Sequence, residues 1–296
     1  MVRPINAPPH VYAGAGFARA AERRKDAAWL EEKRRHSDSE LVILRGTRLQ
    51  VAERGDGLKL VRWTVAEMGG EITAEASFLG EDEGRAVFAL LGDDQEDETA
   101  FELREIGPRL TRTDAGLAAY ARGLAHWHNS HRFCPICGGA TEIVDAGHGR
   151  RCKACGRPQF PRTDPAVIML VTHGEHCLLA RNPRFPKGMY STLAGFVEPG
   201  ESLEEAVARE VLEEVGIAIT DTTYRSSQPW PFPASLMVGF RARALERELT
   251  VDPEELADAG WYERRVLLDE ARRPIILPRP DSIARFLVEE WLLEGD

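Results

Sequence analysis

A chain of 296 residues, 43% apolar and 29% charged, has room for about two globular domains with a sizeable core and is not a disordered chain. Its formal net charge of −10 argues against a general nucleic-acid or membrane-surface binder, while leaving room for a local basic patch. No apolar run reaches about 18 residues and "MVRPINAPPH" lacks a signal-peptide core, so the expectation is a cytoplasmic protein without a membrane. In such a reducing compartment, four of the five cysteines are expected as metal ligands or reduced thiols rather than disulfides.

In chain order, residues 1–40 combine a tail rich in Pro, Gly and Ala with a stretch of helical composition, "FARAAERRKDAAWLEEKRR". Over 41–115, β-like runs ("LVILRG", "LKLVRWTV", "ASFLG", "AVFALLG", "AFELREI") alternate with turn-rich or acidic pieces such as "ERGDG" and "GDDQEDE". A Thr/Asp start and apolar residues at helical spacing make "TDAGLAAYARGLAHWHNSH" a helix, linking over 116–130 to a cysteine cluster within 131–160. In the last segment, 161–296, "PAVIMLV" and "HCLLAR" read as strands, followed by a Gly-rich turn containing Gly195 and a helix from about Ser202 to Val215. "SLMVGFRARAL" then reads as a strand, "ELADAGWYE" as a turn and strand, and "DSIARFLVEEWLLEG" as a closing amphipathic helix. Strands around helices imply an α+β chain with a mixed α/β C-terminal domain.

The cluster places Cys134, Cys137, Cys152 and Cys155 in two C-x2-C knuckles separated by fourteen residues. Four thiolates suit one tetrahedral Zn²⁺ with no open position, hence a structural site; two disulfides or four free thiols are the alternatives. Cys177 lies in a strand-like run and reads as a small buried hydrophobe, and His126, His128 and His131 as ordinary helix-end histidines.

Two features of the last segment carry more chemistry. In the helix, Glu213 and Glu214 fall about 60° and 40° either side of Glu210, while Ala208, Val211, Leu212 and Val215 gather on another arc. Three carboxylates that close repel one another unless a hard divalent cation, Mg²⁺ or Mn²⁺, relieves them. Ser202 and Glu205 form a capping-box pair, and Arg209 sits one turn from both Glu205 and Glu213. Further on, "SQPWPFPAS" has Pro229, Pro231 and Pro233 at every second position, which excludes a helix interior or a central strand. The ribbon stiffly carries Trp230 and Phe232, and its position suggests a wall of an active site, with Gln228 and Ser235 as polar contacts; a packed surface loop is the alternative.

Gly195, Glu201, Arg209, Glu210, Glu213, Glu214 and Gly216, with Val211 and Ile217 in the aliphatic slots, match the Nudix box G-x5-E-x7-R-E-U-x-E-E-x-G-U without a departure. The chain thus resembles the Nudix hydrolases. The zinc ribbon directly before the box, "SQPWPFPAS" after it and "PEELADAGWYE" beyond make it similar to their NADH pyrophosphatase branch, also known as NAD-capped RNA hydrolases. The resemblance implies a β-rich Nudix-like domain over 41–115, a zinc ribbon over 131–160 and a catalytic Nudix α/β/α sandwich over 161–296. It implies Mg²⁺ or Mn²⁺, two or more per site, held by Glu210, Glu214, Glu255 and the carbonyl of Ala194, with Glu213 or Glu214 activating water. Its products from NADH would be reduced nicotinamide mononucleotide and AMP, and from NAD-capped RNA a 5′-monophosphate end. In a homodimer the nicotinamide would stack between Phe196 and, from the other subunit, Phe160, which replaces the usual Tyr. Gln228, Pro229, Trp230, Pro231, Phe232, Pro233, Ala234 and Ser235 would line the substrate, and Ala284 in "DSIAR" would touch it.

Two other readings stand beside this one. One keeps the chemistry and changes the substrate to ADP-ribose, a dinucleoside polyphosphate or coenzyme A. The other makes the chain an RNA-binding protein on a non-catalytic Nudix scaffold, with Arg150, Arg151, Lys153 and Arg157 meeting phosphates.

Overall fold

The computed structural model describes residues 10–14, 16–92 and 97–294; the expected tail over 1–9 and part of "GDDQEDE" lie outside the described residues. The chain divides into two compact units, Met1–Thr163 with Trp230–Ala234, and Asp164–Pro229 with Ser235–Asp296.

In the first unit, the expected N-terminal helix is a 3-10 turn (Ala21–Lys25) followed by α1 (Ala27–Arg35), capped by the Asp26 side chain. A seven-stranded sheet follows, made of β1 (Glu40–Arg45), β2 (Arg48–Arg54), β3 (Gly57–Leu60), β4 (Trp63–Thr64), β5 (Ser77–Asp82), β6 (Arg85–Gly92) and β7 (Ala100–Glu102). Its main path is β3-β2-β1-β6-β5, with β4 beside β1 and β7 beside β2. Three helices accompany it: α2 (Val65–Met68), α3 (Leu103–Ile106) and α4 (Arg112–Ser130). β1 and β6 run parallel, so their alternate residues share faces. Val42, Leu44, Val87 and Ala89 join the cluster of Leu117, Ala121 and Leu124 from α4. Leu41, Ala86 and Phe88 join Leu30 and Val65 from α1 and α2 on the opposite face.

One expectation needs correction here, and one strand lies outside the expected runs. "AFELREI" is a strand only to Glu102, because β2 pairs with no more than Ala100–Glu102; Leu103 and Ile106 then turn helical, the spacing that buries both. "RLQVAER" forms β2 although it reads as mainly polar, since Leu49 alone in it is fully buried.

The cysteine segment is a three-stranded antiparallel sheet in the order β10-β9-β8, from β8 (Thr141–Val144), β9 (Gly149–Cys152) and β10 (Pro158–Gln159).

The second unit contains β11 (Asp164–His173), β12 (His176–Arg181), β13 (Leu193–Phe196), α5 (Leu203–Val215), β14 (Ile219–Trp230), β15 (Ser235–Ala244), β16 (Asp258–Glu263), α6 (Arg264–Leu268) and α7 (Ile283–Leu293). The sheet runs β14-β15-β11-β12-β16, with β13 beside β11. Central β11 sorts its side chains by parity. Val167, Met169 and Val171 pack with Val207, Val211 and Val215 of α5. Ile168 and Leu170 pack with Ile283, Leu287 and Val288 of α7. The result is an α/β/α sandwich. Pro229 falls in β14, which ends the sheet path, in keeping with the confinement of proline to edge strands. Among the described residues, no helix is long and apolar enough to cross a membrane.

Candidate active site and metal centre

The acidic helix starts as its residues require. The Ser202 hydroxyl accepts from the Glu205 N–H at 3.2 Å and the Glu205 carboxylate accepts from the Ser202 N–H at 2.8 Å, which closes the capping box. Its buried face differs from the arc read in the sequence. Ala208 is exposed and Leu212 is 56% exposed, while Ala206, Val207, Val211 and Val215 enter the core. Val207, Glu210, Val211 and Glu214 follow the i, i+3, i+4, i+7 pattern, so two carboxylates ride on the inward stripe instead of opposite it. Glu210 and Glu214 are accordingly only 8% and 6% exposed.

Glu255, just before β16, completes the cluster: one carboxylate oxygen from each of Glu210, Glu214 and Glu255 lies within 4.8 Å of the others. Burial pushes the Glu214 carboxyl up to about 8, and the charges of Glu210, Glu255 and Glu213 push the same way. Burial also raises Glu210, against the pull of the Arg209 guanidinium. Oε2 of Glu214 is buried without a hydrogen-bond partner. An orphaned carboxylate oxygen amid oxygen donors alone fits a hard divalent cation and leaves little for a softer metal.

Arg209 organises the surroundings. It donates to both Glu201 oxygens at 2.7 and 2.9 Å, to Glu210 at 2.8 Å, to Glu213 at 3.0 Å and to the Phe196 carbonyl at 2.8 Å. These hydrogen bonds hold the Glu201 carboxyl down at about 2. Of the two carboxylates one turn from Arg209, only Glu213 pairs with it, because Glu205 is committed to the helix cap. Glu213 stays exposed.

Gly195 corrects the sequence reading most usefully. It lies in β13, opposite Val167 of β11, not in a turn. A Cβ there would stand 1.8 Å from the Glu210 carboxyl carbon, so the glycine is needed for the close approach of that side chain. Neighbouring Ala194 is exposed on the same strand, and Phe196 is 60% exposed at its end. The sequence carried a signal for the Glu201–Arg209 pair in the box spacing, but none for the Gly195–Glu210 contact.

In the ribbon, one Sγ atom from each of Cys134, Cys137, Cys152 and Cys155 lies within 4.8 Å of the others. Cys134–Cys155 and Cys137–Cys152 are 3.8 and 3.5 Å apart, and all four thiols are free of disulfides. Sulfurs tetrahedrally arranged about Zn²⁺ at ~2.3 Å stand about 3.8 Å apart, so this set fits zinc. Each knuckle ends on a glycine with φ of 71°, Gly138 and Gly156, whose N–H returns to the carbonyl of the first cysteine at 2.9 Å.

Other expected residues are placed differently. Trp230 and Phe232 are half-buried and pack into the first unit: Tyr12 meets both rings edge-on at 6.1 and 5.7 Å, and Arg104 lies over both. Arg122 donates to the Pro231 carbonyl. These rings therefore serve as packing groups where an open aromatic wall was expected. Gln228 is fully buried; its Nε2 donates to the Asp281 carbonyl at 2.7 Å and its Oε1 accepts from the Ile283 N–H at 2.8 Å, fixing the start of α7. Ala284, on α7, is only 4% exposed and packs into the core. Pro229, Ala234 and Ser235 are half-buried and Pro233 is exposed. Phe160 is 64% exposed beyond β10. Of the basic patch, Arg151, Lys153 and Arg157 are exposed, but Arg150 is only 8% exposed and does not belong to that outer surface.

Three family models match the chain in succession: an NADH pyrophosphatase-like rudimentary NUDIX domain over residues 38–127, an NADH pyrophosphatase zinc ribbon domain over 129–160, and a NUDIX domain over 162–281. Human "NAD-capped RNA hydrolase NUDT12" is 42% identical over 198 residues, covering 62% of this chain and 43% of that protein. "NAD-capped RNA hydrolase NudC" of Stutzerimonas stutzeri is 45% identical over 190 residues, 64% of this chain and 65% of that one. Its namesake from Mycobacterium bovis is 40% identical over 239 residues, 73% and 75% respectively. The match spans less than half the length of the human relative.

Proposed function

The chain belongs to the Nudix family, in its NADH pyrophosphatase branch, and from that premise we propose that it hydrolyses the pyrophosphate of NADH or NAD⁺ to nicotinamide mononucleotide and AMP. The same cut on NAD-capped RNA, the substrate for which the relatives are named, leaves a 5′-monophosphate end. The observation that carries the reading is the Glu210–Glu214–Glu255 cluster, its first two members buried, with the orphaned oxygen of Glu214.

Glu210, Glu214, Glu255 and the carbonyl of Ala194 would hold Mg²⁺ or Mn²⁺, two or more per site. Bound there, such cations neutralise the diphosphate and lower the pKa of the attacking water. Arg209 holds Glu210 and Glu213 in register, and the proton of the water passes to Glu213 or Glu214. The nicotinamide stacks on Phe196 and on Phe160 of a second copy in a homodimer; phenylalanine keeps the stacking but not a phenol hydrogen bond. Pro229 and Ser235, both half-buried in the second unit, stand beside the dinucleotide, while Gln228 supports them from the start of α7. A reducing compartment such as the cytoplasm suits the four-thiolate zinc site.

The test is a product analysis of NADH, NAD⁺ and NAD-capped RNA under one metal condition. AMP or a 5′-monophosphate end should appear, and Glu214→Gln should lower turnover by about 10³-fold or more. Undiminished turnover in that variant would sink the metal assignment. Glu213→Gln separates the two candidate bases, because loss of rate with unchanged Mn²⁺ affinity identifies Glu213.

A further inference from the structure

Arg150 raises a question that the hydrolase reading leaves untouched. Its guanidinium is buried, yet it donates only to neutral acceptors: Nε to Thr141 Oγ1 at 2.7 Å, Nη2 to the Thr141 carbonyl at 3.2 Å and Nη1 to His128 Nδ1 at 3.1 Å. That accounts for three of its five N–H groups and leaves one on each terminal nitrogen, the fork that suits an oxyanion. Among the described residues, no carboxylate stands within ion-pair distance of Arg150, Arg132 or Lys153. A buried cation without a counter-charge is costly, so an anion arriving there meets a prepared partner.

The space for it exists. Arg150, Arg132 and Lys153 all line one cavity of about 520 Å³ within the first unit, a size typical of small-molecule sites. Its walls come from β1 and β6 (Leu44, Ala89), from α4 (Leu124, Ala125) and from the zinc ribbon (Thr141, Ile143). Glu75 and Glu142 also line it, and both are exposed. The lining thus joins apolar side chains and one buried guanidinium to two exposed cations and two exposed carboxylates at the rim.

We propose that this cavity is a binding site for a small organic anion, a phosphate monoester or carboxylate carried on an apolar chain. The head group takes the fork of Arg150 with Arg132 and Lys153 beside it. The chain lies along Leu90, Leu91 and Ile143, the half-buried apolar residues of the lining. Since the lining joins the sheet, α4 and the ribbon, binding stabilises the first unit against unfolding.

The experiment titrates the full zinc-loaded chain by calorimetry, without added Mg²⁺ or Mn²⁺, using hexyl phosphate, hexanoate, inorganic phosphate and hexylammonium. One of the two hexyl anions should bind at one per chain, and the tighter of them identifies the head group. Inorganic phosphate should bind at least about tenfold more weakly, lacking the apolar chain. The double variant Arg132→Ala with Lys153→Ala, both exposed positions, should weaken binding by about tenfold while the fold stays intact. Arg150→Lys, which keeps the charge but not the fork, should weaken it similarly if that variant folds. Glu214→Gln should leave the affinity unchanged; tighter binding there, from the lost negative charge, would locate the anion at the carboxylate cluster and overturn the proposal. Failure of both hexyl anions to bind, equal binding of hexylammonium, or an unaltered double variant would also overturn it.

Discussion

Replacing Gly195 by alanine is the sharpest test of how the carboxylate site is built. The new methyl would stand 1.8 Å from the Glu210 carboxyl carbon and within 2.1 Å of both its oxygens, where ordinary contact begins near 3.4 Å. The carboxylate must therefore retreat by more than about 1 Å, and a misplacement of that order costs roughly 10²-fold in rate. Retreat also strains the 2.8 Å hydrogen bond from Arg209, whose loss is worth about 1.5–3 kcal/mol for a charged pair. The expected outcome is a fall in kcat on NADH of about 10²-fold or more, with weaker Mn²⁺ binding by calorimetry and a Tm lower by only a few degrees. Gly200→Ala is the control. Gly200 has φ of +91° with open space around its missing Cβ, so its strain costs stability without touching Glu210. A Gly195→Ala enzyme with kcat within about threefold of the parent would refute the close-approach argument.

Three further outcomes follow from the packing. Trp230→Ala removes edge contacts to Tyr12 at 6.1 Å and Phe232 at 5.1 Å, and should cost about 2–3 kcal/mol in urea unfolding; an unchanged midpoint would return the ring to the role of a free wall. Arg62 sits 2.5 Å from Asp82, 2.8 Å from Asp114 and 3.1 Å from Glu40, so Arg62→Met leaves three carboxylates facing one another and should destabilise the chain by about 3–5 kcal/mol. Burial lowers His128 to about 4, and its Nε2 bonds the Gly147 carbonyl while its Nδ1 faces Arg150. The unfolded histidine titrates near 6.5, so below that pH the unfolded chain binds a proton that the native chain refuses. Stability then falls as pH drops from about 6.5 towards 4, by roughly 1.4 kcal/mol per pH unit for this group. His128→Gln should flatten the unfolding free energy against pH by that share, and identical slopes in parent and variant would contradict it.

Much of this was legible in the residues, unevenly. The cap of α5 and the two cysteine knuckles were readable because each depends on residues a few positions apart. The exclusion of the proline ribbon from a central strand held because it depends on the missing N–H alone. The inward face of α5 was misread because charged residues are ordinarily assigned outward, whereas here Glu210 and Glu214 ride on the buried stripe. Gly195 was read as a turn former because glycine favours turns and also close approaches, and only the neighbour across the gap distinguishes them.

The same division separates local from distant causes. The sequence by itself determined which donors exist: carboxylates within a turn of one helix, four thiolates in paired knuckles, and a stiff ribbon, all set by backbone periodicity and covalent geometry. Tertiary structure decided what each donor faces. It set the oxygens of Glu210, Glu214 and Glu255 together, put Trp230 and Phe232 against Tyr12, and buried Arg150 beside a cavity while its neighbours stayed exposed. Those outcomes depend on contacts between residues far apart in the chain, whose burial cannot be read from the spacing of either partner.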